Sequence, residues 1–200
     1  MFKLGITGGL GSGKSTAASF FKEKGAVVFD ADEEAKQHLL SHLDLQDKII
    51  DTFGSPVVQE NKLNLSKLSE HIFSNKQFHE TLNKIIWPEV YILIKSASEK
   101  ATLDDTDLFV VDAALLLEAG YIEYFDSILL ITAKKQIRIQ RVHQRKNIPD
   151  DQIEKRMALQ MPESEKQKLV QNTIENNEDL QDLYIRLEEF YKILNVGKNT

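Results

Sequence analysis

The stretch GGLGSGKST, residues 8–16, packs four glycines, a lysine and several hydroxyls into nine positions. It fits the pattern G-x-x-x-x-G-K-[ST] with Gly8, Gly13, Lys14 and Ser15. The residue types state the chemistry. Glycines let the backbone bend until successive N–H groups point at one anion. A helix starting near Gly13 adds its positive end. Lys14 reaches the β- and γ-phosphates of a nucleotide, and the Ser15 hydroxyl is placed to hold Mg²⁺. The expected nucleotide-binding set is Gly9, Leu10, Gly11, Ser12, Gly13, Lys14, Ser15 and Thr16. No G-x-G-x-x-G register exists here, because Thr16 stands where the third glycine would fall.

Carboxylates recur where such a site would use them. In AVVFDAD, the apolar run Val27–Phe29 is expected to be a buried strand, with Asp30 and Asp32 at its C-terminal end. That edge of a parallel sheet is where ligands bind, so either carboxylate could face a γ-phosphate. Either could instead cap the helix that DADEEAKQHLL predicts. Asp112 ends the apolar run Leu108–Val111, where an acid can hold Mg²⁺ through water. Residues 134–146, KKQIRIQRVHQRK, hold six basic residues and no acid. On a helix, Lys134, Arg138, Arg141 and Arg145 share a face, and guanidiniums suit phosphate oxygens. His38 and His42 are four apart, but no third ligand accompanies them, so they read as solvated histidines.

These groups need a framework. FKLGIT before the loop and SILLIT (127–132) read as strands, and STAASFFKEKG reads as an amphipathic helix ending at Gly25. Alternation of strands with helices predicts a doubly wound α/β fold, a parallel sheet flanked by helices. Residues 34–105 are rich in helical periods, such as Leu63, Leu65, Leu68, Ile72 and Phe73, and are too long for a plain connection. Trp87–Pro88 is expected to open or kink a helix. NIPDDQIEKRMALQMPESEK is expected to form one further helix, which with the basic one would make a lid. Leu183, Leu187, Phe190, Tyr191 and Leu194 lie at core-packing intervals of a last helix.

Composition narrows the classes. The chain has 200 residues, 42% of them hydrophobic, a net charge of −6 and no cysteine. Disulfides and thiolate metal sites are excluded, and a reducing compartment is the expectation. No apolar run reaches the roughly 20 residues that span a bilayer, and no secretory signal is expected. The acidic balance argues against nucleic acid as a partner. N-K-x-D is missing and the strand-end Asp112 is followed by Ala113–Ala114–Leu115 rather than by D-x-x-G, which disfavours a nucleotide switch, and Ala113 occupies the place of the second acid of a mechanical ATPase.

LGITGGLGSGKST, VFDADEEAKQ, LNKIIWPEV, VDAALLLEAG, RVHQRKNIPDDQIEKRMALQMPESEK and NTIENNEDL occur in an order that resembles the dephospho-CoA kinases, over residues 3 to about 180. The resemblance implies a P-loop NTPase-type kinase that uses ATP and Mg²⁺ to phosphorylate the ribose 3′-hydroxyl of dephospho-CoA in the cytoplasm, the last step of coenzyme A synthesis. Another P-loop nucleotide or small-molecule kinase is the alternative. It implies one kinase domain over 1–200: a nucleotide core (1–33, 106–133, 170–200), a helical CoA-side insertion (34–105) and a lid (134–169). By the same resemblance Asp32 takes the hydroxyl proton, Arg141 reaches the phosphates from the lid, Asn176 contacts adenine, and Lys14 completes the catalytic set. The chain departs from the family pattern at Trp87, where His is usual, and at Ala114, where Pro is usual; both lie on the acceptor side.

Overall fold

A computed structural model of the chain describes residues 1–146, 148–194 and 196, with the side chain of Lys146 left outside the description. The chain forms two compact units, residues 1–31 with 94–200 and residues 32–93.

The first unit is built on five parallel strands: β1 (Phe2–Thr7), β2 (Val27–Asp30), β5 (Leu108–Asp112), β6 (Ser127–Thr132) and β7 (Asn172–Glu175), in the order β2-β5-β1-β6-β7. The strand between β2 and β1, β5, is buried at all five positions, as expected for a strand covered on both faces. The register pairs Ile6 with Asp112, Asp30 with Asp112 and Thr7 with Leu130, so the C-terminal ends of four strands converge on one crevice. β2 is an edge strand, which corrects one expectation: Val27 is exposed and only Phe29 is buried. β7 was not foreseen, because NTIE is short and half polar.

Helix α1 (Lys14–Glu23) packs Ala17, Ala18, Phe20 and Phe21 into the sheet core and ends as expected, with Gly25 at a positive φ of 90°. The last helix, α9 (Leu180–Ile193), adds Leu183, Leu187 and Phe190 to the same core, with Tyr191 and Leu194 packed against it. The basic segment forms α6 (Lys135–Lys146). Beyond it the chain folds into two helices rather than the single one expected, α7 (Asp150–Ala158) and α8 (Glu163–Leu169), because Pro162 restarts the chain at the head of α8.

The second unit is helical: α2 (Ala31–Ser41, whose first residue still belongs to the first unit), α3 (Leu43–Phe53), α4 (Leu65–Ser74) and the first part of α5 (Lys76–Leu103). Leu39, Ile49, Leu68, Ile72 and Ile85 form its core. Leu63 lies not in a helix but in a hairpin, β3 (Val58–Gln59) with β4 (Lys62–Leu63). Glu60 and Asn61 turn it with φ of 50° and 59°, as a type I′ turn requires. Trp87–Pro88 opens no helix: Pro88 sits inside the 28-residue α5. The His38 and His42 rings lie 3.7 Å apart, tilted by 32°, and His38 Nε2 lies 3.5 Å from Glu89 Oε2, so His38 is half-buried and paired while His42 is exposed.

One buried charge fixes the crevice floor. Lys166 on α8 is fully buried, donating to the Ala114 carbonyl at 3.0 Å and pairing with Glu118 at 2.9 Å. Glu118 also accepts the Met161 N–H at 2.9 Å. Burial lowers the pKa of Lys166 and the Glu118 carboxylate opposes it. Thr7 donates to the same Ala114 carbonyl at 3.4 Å, so α8 is tied to the loop that leaves Asp112. Because the acceptor is a backbone carbonyl, an alanine serves here as well as a proline. Lys166→Met should lower stability by about 3 kcal/mol, the lower end for a broken buried pair, since Glu118 keeps some solvent. Thermal unfolding should show the midpoint falling by roughly 6–12 °C. Adding Glu118→Gln should recover most of that loss, and a single variant as stable as the parent would contradict the assignment.

Candidate functional site

The loop from Gly8 to Gly13 joins the end of β1 to α1. Its crest is a turn closed by Ser12 N–H donating to the Gly9 carbonyl at 3.0 Å. Gly11 takes φ 79° and Gly13 φ 107°, values that disfavour any side chain. Space excludes one as well. A Cβ on Gly9 would overlap the Arg138 guanidinium, on Gly11 the Arg138 carbonyl, and on Gly13 the Asn176 amide. Gly13 precedes α1 and no side chain caps the helix. The first N–H groups of α1, from Lys14, Ser15 and Thr16, therefore stand at a positive helix end suited to an anion. Ser12 Oγ is buried without a hydrogen-bond partner among the described residues.

Lys14 Nζ lies 3.8 Å from Asp112 Oδ1 across the crevice, both side chains being largely buried. Ser15 is exposed at the head of the helix. Among the described residues no three His, Cys, Asp or Glu side chains could hold a metal by themselves. A hydroxyl and one carboxylate next to a phosphate cradle fit Mg²⁺, which keeps several waters and is usually bound through one or two carboxylates and substrate phosphates.

The basic helix divides its arginines. Arg138 is 7% exposed; its Nε donates to the Leu10 carbonyl at 2.9 Å and its guanidinium pairs with Glu163 at 2.6 Å. Glu163 in turn accepts the Thr132 hydroxyl at 2.6 Å. Arg141 donates to the carbonyls of Asn176 at 2.9 Å and Glu178 at 3.2 Å, and to Asn176 Oδ1 at 3.3 Å. Asn176 passes this on, its Nδ2 donating to the Ser12 carbonyl at 2.8 Å. Burial lowers the pKa of both arginines; Glu163 offsets this at Arg138, whereas Arg145 adds to it at Arg141. Lys134 and Arg145 are exposed.

Thus Lys14, Asp112, Arg141 and Asn176 meet around the loop. Asp32 is not a strand-end residue as expected. β2 passes into α2 with no intervening residue, so Asp30 closes the strand and Asp32 lies in the first helical turn. Both are exposed. The residues that sequence reasoning missed as site components are Arg138, Gln160 and Glu163. Arg138 was visible only as one of a row of basic residues, and the other two lay inside a quoted motif without a role.

The comparisons agree along the chain. Residues 2–182 match the family model described as CoaE: Dephospho-CoA kinase. The chain is 36% identical over 188 residues to the dephospho-CoA kinase of Fusobacterium nucleatum, covering 94% of this chain and 95% of that one. It is 36% identical over 199 residues to that of Salinibacter ruber, covering 99% and 100%. The crystal structure of TT1252 from Thermus thermophilus superposes with a TM-score of 0.78 at 29% identity, covering 96% and 97%. The shikimate kinase of Acinetobacter baumannii, with a TM-score of 0.55 at 15% identity over 100% and 96%, shares the fold. A glycine loop at the head of an uncapped helix, a pair between the lysine that opens this helix and the aspartate that ends β5, and a family match over residues 2–182 lead to one conclusion: the chain belongs to the dephospho-CoA kinase family.

Proposed function

We propose that this chain transfers the γ-phosphate of ATP to the ribose 3′-hydroxyl of dephospho-CoA, giving coenzyme A. The observation that carries the reading is the Lys14–Asp112 pair at the mouth of the glycine loop, in a chain that matches the family from residue 2 to residue 182. Phosphoryl transfer needs little covalent chemistry from the protein; it needs positioning and charge stabilisation. The backbone of Gly9 to Thr16 holds the phosphates, with Lys14 against the β- and γ-groups. Ser15 and Asp112 would hold Mg²⁺, which would supply positive charge against the phosphates.

Asp32 orients the acceptor hydroxyl and takes its proton, a role that a carboxylate at the start of α2 suits. Arg141 serves the phosphates from the lid and, through Asn176, backs the loop; Asn176 marks the adenine side. Residues 34–105 form the acceptor side, and residues 134–169 close over the nucleotide in a cytoplasmic enzyme. No helix among the described residues is long and apolar enough to cross a membrane.

Lys14→Ala should cut turnover by at least roughly the 10²–10³-fold that follows loss of one preorganised charge-stabilising donor, while the chain still folds. ATP consumption with dephospho-CoA measures it, and a near-normal rate would sink the loop assignment. Asp32→Asn should leave ATP affinity nearly intact and lower turnover by about 10²–10⁴-fold, the usual cost of losing a general base. Asp30→Asn is the control. A normal rate for Asp32→Asn beside a collapsed rate for Asp30→Asn gives the proton to the strand-end carboxylate instead.

A further inference from the structure

The crest of the phosphate loop is gripped from outside. Both backbone polar groups of Leu10 are taken by side chains remote in sequence: its carbonyl accepts from Arg138 Nε at 2.9 Å, and its N–H donates to Gln160 Oε1 at 2.9 Å. Leu10 and Gly11 are the two central residues of the turn that Ser12 N–H closes onto the Gly9 carbonyl. Gly11 has φ 79°, while Leu10 is not among the positive-φ residues. This is the type II arrangement. The same four residues close equally well as type I, with the middle peptide turned over and the third residue at φ near −90°.

The two forms differ in where the Leu10–Gly11 peptide points. In a trans peptide the carbonyl and the N–H are antiparallel. With the Leu10 carbonyl on Arg138, the Gly11 N–H points away from α6, and among the described residues it donates to no protein group.

We propose that Arg138 is a positioning residue that locks the Leu10–Gly11 peptide of the phosphate loop with the Gly11 N–H turned into the anion cradle, and that Glu163 and Gln160 hold the lock in place. This rests on the nucleotide reading of the loop. Arg138 is itself fixed. Its guanidinium lies against Gly9, pairs with Glu163 at 2.6 Å, and Glu163 is held by the Thr132 hydroxyl at 2.6 Å. Glu163 opens α8 and Gln160 lies just before it, so the segment 160–163 and α6 together set the loop's peptide orientation. Without the lock both turn forms are populated, and apparent affinity for a polyphosphate falls by the fraction of chains in the competent form.

The test is ATP affinity by titration calorimetry without acceptor, with turnover at saturating ATP and thermal unfolding on the same chains. Arg138→Gln should weaken ATP binding by at least about twofold, the loss when the two turn forms become equally populated. Turnover at saturation should stay within about threefold, since the bound anion itself selects the competent form. The same variant leaves the half-buried Glu163 without its cation and should unfold earlier. Arg138→Gln with Glu163→Gln removes that defect, so it should regain thermal stability while ATP affinity stays weak. Affinity restored together with stability would overturn the proposal and leave Arg138 a structural residue. Intact affinity with a collapsed turnover would also overturn it, giving Arg138 a direct role on the transferred phosphoryl group. Lys14→Ala separates the levels: if it loses ATP binding while Arg138→Gln keeps it, the nucleotide reading stands and the lock falls. A parent chain that binds no ATP overturns both.

Discussion

A cradle made of backbone works only while its peptide planes face the anion. This constraint governs the first unit of the chain. Gly11 and Gly13 take positive φ to turn the planes, and their bare α-carbons admit α6 and Asn176 at distances no side chain would allow. The loop is then enclosed by its neighbours. Leu10 is held by Arg138 and Gln160, Ser12 is held through its carbonyl by Asn176, and Asn176 is held by Arg141. Few of these contacts add much stability singly; together they leave an open helix end with its N–H groups unspent on protein.

Charge is arranged around the same loop. Lys14, Arg138 and Lys166 each face one carboxylate: Asp112, Glu163 and Glu118. Burial disfavours the cationic forms of Arg138 and Lys166, their carboxylates offset this only in part, and Lys14 and Arg138 both act against the charge on Lys166. A polyphosphate entering such a field relieves repulsion among cations that the fold has already desolvated. The chain as a whole carries a net charge of −6, so the attraction is local, a property of the crevice and not of the surface.

Much of this was legible in the sequence because the signals were local. The strands β1, β5 and β6, the glycine loop, the start and end of α1 and the apolar stripe of α9 each follow from a short pattern. Asp32 was placed with Asp30 at the end of the strand Val27–Phe29, or as a helix cap, whereas Ala31 already begins the helix and Asp32 lies in its first turn. The β3–β4 hairpin was lost because a search for helical period passes over a four-residue ribbon turned by Glu60 and Asn61. Trp87–Pro88 was expected to open or kink a helix; it opens none, since Pro88 lies inside α5. The roles of Arg138, Gln160 and Glu163 were invisible for a different reason. Each depends on a partner 25 to 150 positions away, and spacing within a motif carries no record of such pairs.

The most direct measurement is the initial rate of ATP consumption in the presence of Mg²⁺ with dephospho-CoA, adenosine, AMP or shikimate as the offered acceptor, with the phosphorylated product identified by mass. The account predicts rapid consumption with dephospho-CoA alone, and a product that gains one phosphoryl group on its ribose 3′-oxygen. A rate with dephospho-CoA no higher than in buffer, or a higher rate with one of the other acceptors, would contradict it.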